Sequence, residues 1–126
     1  MNLASTIPVF VTEPWYSDPS DHRCPHDSWL ETLEISEPAE GQRKEIRKKS
    51  IRTRLLGAYH DGHIVFQYFD VKKYSLTSSS ADLGHGDWLE DKFSISESGD
   101  LVHYIKWERG NWLIESSLVT YEWLKN

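Results

Sequence analysis

Residues 88–123, WLEDKFSISESGDLVHYIKWERGNWLIESSLVTYEW, decide the fold of this chain. Three runs rich in β-branched and aromatic residues are parted by Ser98-Gly99-Asp100 and by Arg109-Gly110-Asn111, Gly-centred punctuation of the kind that closes hairpins. The stretch predicts an antiparallel β meander. Register follows from residue identity. Phe93 and Ile95 share one face of their strand, and Leu101, Ile105 and Trp107 share one face of the next. An odd-length loop such as Ser98-Gly99-Asp100 puts both sets on one side, whereas a one-residue slip would turn one of them into water. With that loop Phe93 faces Ile105. Either two-residue loop at Arg109-Gly110 or Gly110-Asn111 then adds Trp112 and Ile114, so the expected core face is Leu89, Phe93, Ile95, Leu101, Ile105, Trp107, Trp112 and Ile114. The opposite face carries Glu90, Lys92, Ser94, Tyr104, Lys106, Glu108 and Glu115, with Val102 and Leu113 among them, and reads as solvated or half covered.

Working outward, the rest of the chain repeats this grammar. Trp29, Glu31, Leu33 and Ile35 alternate as a strand does, although Ser28 and Glu31 also match a helix capping box; the strand is the favoured reading. Ile51, Thr53 and Leu55 alternate with Arg52, Arg54 and Leu56. His60-Asp61-Gly62-His63 then carries the strongest hairpin signal, Asp-Gly between two β runs, with IVFQYF as the return strand. VKKYSL extends it, Thr77 to Gly86 is polar loop, and Leu118 to Trp123 is a last strand. The expected class is mostly β, an antiparallel meander of seven to eight strands forming a curved sheet, a sandwich or a small barrel. Residues 1–126 make one domain with an extended, loop-rich segment at 1–27, in which Ile7 to Val11 adds an edge strand or packs across the sheet. A chain of 126 residues buries about two-thirds of its unfolded surface in a single core.

Aromatics reach 13% of the sequence, with six Trp and six Tyr, while hydrophobic content is only 38%, so rings fill much of the core. The net charge of −6 argues against duplex nucleic acid. Cys24 is the only cysteine, which excludes an intrachain disulfide and a Cys-based zinc finger. No basic n-region, secretory h-region or membrane-length apolar run is present, and the expected location is the cytoplasm.

Candidate sites are few. His22, Cys24 and His26, with Asp21 and Asp27 alongside, offer zinc-type ligands from one extended segment, but Pro25 and the loop composition favour a polar loop without metal. His85 and Asp87 sit among Gly84, Gly86, Glu90 and Asp91, where a backbone free of Cβ atoms can approach a ligand; the plainer reading is a shaped strand entry. His103 falls on the core face. Opposite Ile95 it would be a neutral, satisfied imidazole, and Asp91, paired with Trp107, would stand about 13 Å away, too far for a direct acid-base pair. Trp88, Trp107 and Trp112 could stack on a planar or sugar ligand in a pocket around His103 and Asp91. His60 and His63 flank a turn without a third ligand. Residues 43–54 hold seven Lys or Arg against one Glu, +6 in a chain of −6, which suggests RNA or an acidic partner; with no aromatics interleaved, a charged sheet edge that resists aggregation is the favoured reading. No phosphate loop, GxSxG, HExxH or CxxC occurs, and no cofactor is expected.

The hairpin LLGAYHDGHIVFQYFDVKKYSL (55–76) and the ending GNWLIESSLVTYEW (110–123) resemble those of small bacterial β-rich proteins that serve as immunity partners of polymorphic toxins or sit unassigned in similar operons. The resemblance covers about half the chain and transfers no functional residue. It implies a non-enzymatic protein-binding module whose acidic surface meets a basic partner such as a toxin, with Glu108, Glu115, Tyr121 and Glu122 as the surface to test. The alternatives are a small ligand-binding or hydrolytic β protein with its pocket near His103 and, third, an RNA binder through Arg43 to Arg54. Exposed aromatics would also permit a homodimer.

Overall fold

A computed structural model describes residues 6–80 and 82–126. Among the described residues eight strands form: β1 (Trp29–Ser36), β2 (Ala39–Glu40), β3 (Ile46–Arg47), β4 (Ser50–Leu56), β5 (Gly62–Ser78), β6 (Trp88–Ile95), β7 (Leu101–Trp107) and β8 (Gly110–Lys125). Six of them make one antiparallel sheet in the order β1-β4-β5-β8-β7-β6, and β2 and β3 form a separate two-stranded ribbon. The sheet does not close into a barrel. Its terminal strands β1 and β6 meet through the single bridge Trp29 to Asp87 among the described residues. Trp29 to Ser36 is strand rather than helix, and a bulge between Leu30 and Thr32 lets Leu30 and Leu33, three residues apart, both pack against the core.

The long antiparallel pair β5–β8 is the spine, and it turns a corner in the middle. Asp70 adopts φ +52, and a bulge lies between Val71 and Lys73. In β8 the buried positions are Trp112, Ile114 and Ser116 before the corner and Val119 after it, so the inward face passes from even to odd numbers. A strand changes face in this way where a sheet folds over on itself. The Ser117 hydroxyl donates to Asp70 Oδ2 at 2.8 Å and ties the two strands at the bend. Phe69 and Leu118, paired across the two strands, are left exposed beside it. The two halves meet in a ring-filled core, with Phe66 stacked on Trp88 (5.5 Å) and packed against His103 (5.5 Å) and Tyr121 (5.5 Å).

Faces hold as expected and neighbours do not. Phe93 pairs with His103 instead of Ile105, and Ile105 pairs with Asp91. The cause is the loop, which runs for five residues from Ser96 to Asp100: the Ser96 amide donates to the Asp100 carbonyl (2.9 Å), the Asp100 amide to Ser96 Oγ (3.1 Å), and Gly99 takes φ +85. Five is odd like three, so every side chain keeps its face and shifts its partner by two. The next loop is Glu108-Arg109, with Trp107 opposite Gly110, two residues from the register of an Arg109-Gly110 loop and four from that of a Gly110-Asn111 loop. Leu89 leaves the expected core face. A bulge between Trp88 and Glu90 gives its place to Trp88, which is 2% exposed, while Leu89 is 38% exposed. Ile95, at the strand end, is as exposed as Leu89.

Ile7 to Val11 adds no strand. After Pro8 the chain forms a single helical turn, α1 (Val9–Thr12), then a 3₁₀ turn, Pro14–Ser17. Phe10 reaches into the aromatic core against Tyr16 (5.6 Å), Phe66 (6.0 Å), Phe93 (5.9 Å) and Tyr121 (5.5 Å). Residues 7–27 thereby cover the core where the sheet is left open. No described helix is long and apolar enough to cross a membrane.

Candidate functional site

The two-residue shift in register creates a site that the shorter loop would have forbidden. Asp91 sits diagonally from His103 across the β6–β7 pair, and His103 Nε2 lies 2.7 Å from Asp91 Oδ2. The expectation that these two stand too far apart is therefore overturned. On the other side of the imidazole, Nδ1 lies 2.7 Å from the Tyr68 hydroxyl. The Tyr16 hydroxyl, from the 3₁₀ turn, donates to the same Asp91 Oδ2 at 2.6 Å. With Nε2–H donating to the carboxylate, Nδ1 is the acceptor and Tyr68 its donor, so a neutral imidazole satisfies every group.

Burial shapes this relay. His103 and Tyr68 have no exposed surface, whereas 13% of the Asp91 side chain remains open. Desolvation pushes the His103 imidazole below its ordinary value, outweighing the hydrogen bond and charge of Asp91, which pull upward. Tyr16 and Tyr68 are raised well above the usual phenol range, first by burial and then by the Asp91 charge. Phe93 stacks on His103 at 3.9 Å and 11°, closing the ring off from solvent on that side.

Asp91 opens into a cleft of about 380 Å³. One wall is the N-terminal segment, with Val11, Tyr16, Pro19, Cys24 and Pro25; the other is β6 from Trp88 through Phe93. Because consecutive residues of both orientations line it, the cleft runs along the edge of the strand instead of over one face. That edge is open. Ser96 and Asp100 close the hairpin with a backbone bond, and in the register Ser94–Val102, Lys92–Tyr104 and Glu90–Lys106 the alternate residues point their amide groups at β7. Asp91, Phe93 and Ile95 then point theirs outward. Trp88 alone is matched on that side, its amide donating to Ser28 (3.1 Å) and its carbonyl accepting from Asp27 (2.9 Å). Among the described residues none partners the outward groups of Asp91, Phe93 and Ile95.

A second cleft of about 390 Å³ is bounded by Trp29, Leu83, His85, Asp87, Glu108 and Arg109. Its polar groups are already engaged. His85 Nε2 accepts from Trp112 Nε1 (3.0 Å), and burial holds this imidazole below its ordinary value; Asp87 accepts from Trp29 Nε1 (2.6 Å). Arg109 donates to the carbonyls of Gly84 and Leu83, both at 3.1 Å. His85 and Asp87 thus shape the approach to β6. Trp107 and Trp112 are 1% exposed and present no ring face to a ligand.

The metal candidates do not converge. His22 is exposed, stacked on Tyr59 (4.1 Å) and 2.6 Å from Asp61; Cys24 is buried with its thiol donating to the Tyr16 carbonyl (3.0 Å); His26 lies beside Asp27 (3.2 Å). Among the described residues no three His, Cys, Asp or Glu side chains are gathered for a metal ion. The acidic candidates are spread out. Glu108 stands in the β7–β8 turn, Glu115 is half buried 4.0 Å from Lys73, and Glu122 is exposed, about 45 Å along the strand from Glu108. Tyr121 is no exposed ring: its hydroxyl donates to the Arg23 carbonyl, and it packs on Phe10 and Trp15 (4.9 Å). In the basic stretch Arg52 pairs across from Glu34, Arg54 lies 3.7 Å from Glu31, and Arg47 donates to the Glu37 carbonyl.

Tyr16 and Tyr68, half of the relay, were not singled out from sequence. Tyr68 reads there as one ring among several in a strand, and Tyr16 lies in a Pro-rich loop, where the pair Trp15-Tyr16 was the available sign of a segment that packs. No known protein family, curated protein or solved structure matches the chain.

Proposed function

We propose that this protein is a non-enzymatic binding module that receives an extended segment of a protein partner as an added strand along β6. The carrying observation is the cleft whose one wall is an open strand edge, with the backbone groups of Asp91, Phe93 and Ile95 facing outward. Strand addition supplies main-chain hydrogen bonds for affinity and a pocket for alternate side chains. The buried relay supports a binding role over catalysis. His103 is sealed under Phe93, and the Cys24 thiol in the cleft wall is raised by burial and donates to the Tyr16 carbonyl, so the imidazole does not reach the cleft as a base and the thiol is held protonated. A basic partner suits the net charge of −6, as an immunity protein opposing a basic toxin would require.

The test is selection of short peptides from a displayed random library, followed by amide hydrogen exchange on the isotopically labelled protein. Selected peptides should slow exchange at Asp91, Phe93 and Ile95, and Ile95→Pro, which removes one outward amide at an exposed position, should weaken them. Peptides that protect none of these three amides would refute strand addition. A second reading rests on the cleft's size, which lies at the low end of small-ligand pockets. It requires a small molecule to copurify, visible by native mass spectrometry.

A further inference from the structure

The charge in the cleft wall identifies the partner's chemistry. Asp91 is held by two donors on one oxygen, Tyr16 Oη and His103 Nε2, and both are uncharged groups. Its ion-pair neighbour is that same histidine, and no Lys or Arg among the described residues approaches it within ion-pair distance. The other charged groups lining the cleft are Glu90 and Lys92, which project from the outer face of β6, and His26 lies on the opposite wall beside Asp27. Glu90 and Lys92 offset each other, so the carboxylate at the inner face stays uncompensated. A carboxylate that reaches the cleft through a narrow opening, fixed in place and without a counter-ion, favours a cation delivered to it.

Strand addition fixes where that cation must come from. The backbone groups of Asp91 point outward, so an added strand pairs one of its residues directly opposite Asp91, and the side chains of the pair share a face with Cβ atoms about 5 Å apart. The residues two positions away on the added strand share that face, and one of them meets Phe93. We propose that the cleft selects an extended segment carrying Lys or Arg opposite Asp91, with an apolar residue two positions along against Phe93. This rests on the strand-addition reading and adds to it the identity of the residue that is read.

The probes are capped peptides Ac-Thr-Val-Thr-Xaa-Thr-Val-Thr-NH2 with Xaa Lys, Arg, Gln or Glu, titrated into the labelled protein while the amide shifts of Asp91, Phe93 and Ile95 are followed. The Lys and Arg peptides should bind about tenfold more tightly than the Gln peptide, and the Glu peptide more weakly still. In Asp91→Asn, which keeps an acceptor for Tyr16 or His103, the Lys and Gln peptides should agree to within about twofold. Should Asp91→Asn fail to fold, the wild-type protein carries the test: raising salt from about 50 to 500 mM should shrink the Lys preference several-fold. Equal binding of the Lys and Gln peptides overturns this inference and leaves strand addition standing. A Lys preference that survives in Asp91→Asn overturns it as well. If none of the peptides moves the three amides, strand addition and this inference fall together.

Discussion

Removing the Asp91 carboxylate should cost the fold measurably, because the groups it satisfies are buried. In Asp91→Ala, His103 Nε2–H loses its acceptor at a position with no exposed surface, and the Tyr16 hydroxyl loses its acceptor in a residue 6% exposed. A buried donor left unpaired costs about 1–3 kcal/mol, so two cost about 2–6 kcal/mol. Two effects pull toward the low end. The carboxylate's own desolvation is relieved, and the opening through which 13% of Asp91 is exposed lets water reach the vacated space. The expected loss is about 2–4 kcal/mol, a large part of the 5–15 kcal/mol typical of a domain. For a chain of this length it lowers Tm by about 8–15 °C. Urea unfolding followed by Trp fluorescence measures it, with an unchanged m-value as the condition for reading ΔΔG from the midpoint. Tyr16→Phe supplies the cross-check: it should cost about 1 kcal/mol alone and regain about 1 kcal/mol in the Asp91→Ala background, where the buried hydroxyl is already unpaired. A loss below about 1 kcal/mol for Asp91→Ala, or full additivity of the two changes, would show that the relay is not a coupled unit.

The remaining predictions concern packing, protonation and access. A Cβ at Gly62 would stand 2.4 Å from Trp123 Cζ2 and 2.9 Å from the Leu124 carbonyl, so Gly62→Ala should cost about 1–3 kcal/mol, and a stable Gly62→Ala would mean that Trp123 is not seated there. Gly84→Ala meets no atom within 4 Å and bears only the strain of φ +70, about 1–2 kcal/mol, which separates backbone strain from steric clash in the same denaturation assay. Because burial holds the folded His103 imidazole below its unfolded value of about 6.5, the unfolded chain binds the proton first; the stability it contributes is complete above about pH 6.5 and is lost as pH falls from there toward the folded value. Denaturation between pH 8 and 5 should show that decline and His103→Asn should flatten it, with half-buried His85 supplying a smaller decline of the same sign; equal slopes in the two proteins would remove His103 as the cause. Cys24 is 3% exposed with its thiol raised by burial and donating to the Tyr16 carbonyl, so iodoacetamide should label it far more slowly in the native protein than in urea, and rapid native labelling would mean that residues 14–27 open.

The fold was legible because faces are. Alternation in Leu101, Ile105, Trp107, Trp112 and Ile114 names the buried side of two strands without reference to what lies across from them, and all five are buried. Strand rather than helix over 29–36 follows from the same period. The corner at Asp70 was not legible, since nothing in FDVKK announces a left-handed aspartate and a bulge. Of the covering segment only the packing of Ile7 to Val11 across the sheet was among the readings; the seat of Tyr16 was not legible, because residues 7–27 have no period and are ordered by long-range contacts with Phe66, Phe93 and Tyr121.

The site failed for a related reason. A face is preserved by any loop of the right parity, whereas a site depends on which residue lies opposite which. Ser96-Glu97-Ser98-Gly99-Asp100 closes with the Ser96 hydroxyl accepting from the Asp100 amide and Ser98 Oγ donating to Asp100, so the two serines together favour five residues over three. Those local bonds bring Asp91 from beside Trp107 to beside His103 and give the carboxylate its two donors. Closing the hairpin on residues 98–100 instead, with Ser96→Val and Ser98→Asn removing those bonds so that Glu97 comes opposite Leu101, would keep every buried ring on its face while parting Asp91 from His103. Such a variant should fold with the same sheet and lose any preference for a cationic peptide, a separation of architecture from recognition that amide-shift titration can read directly.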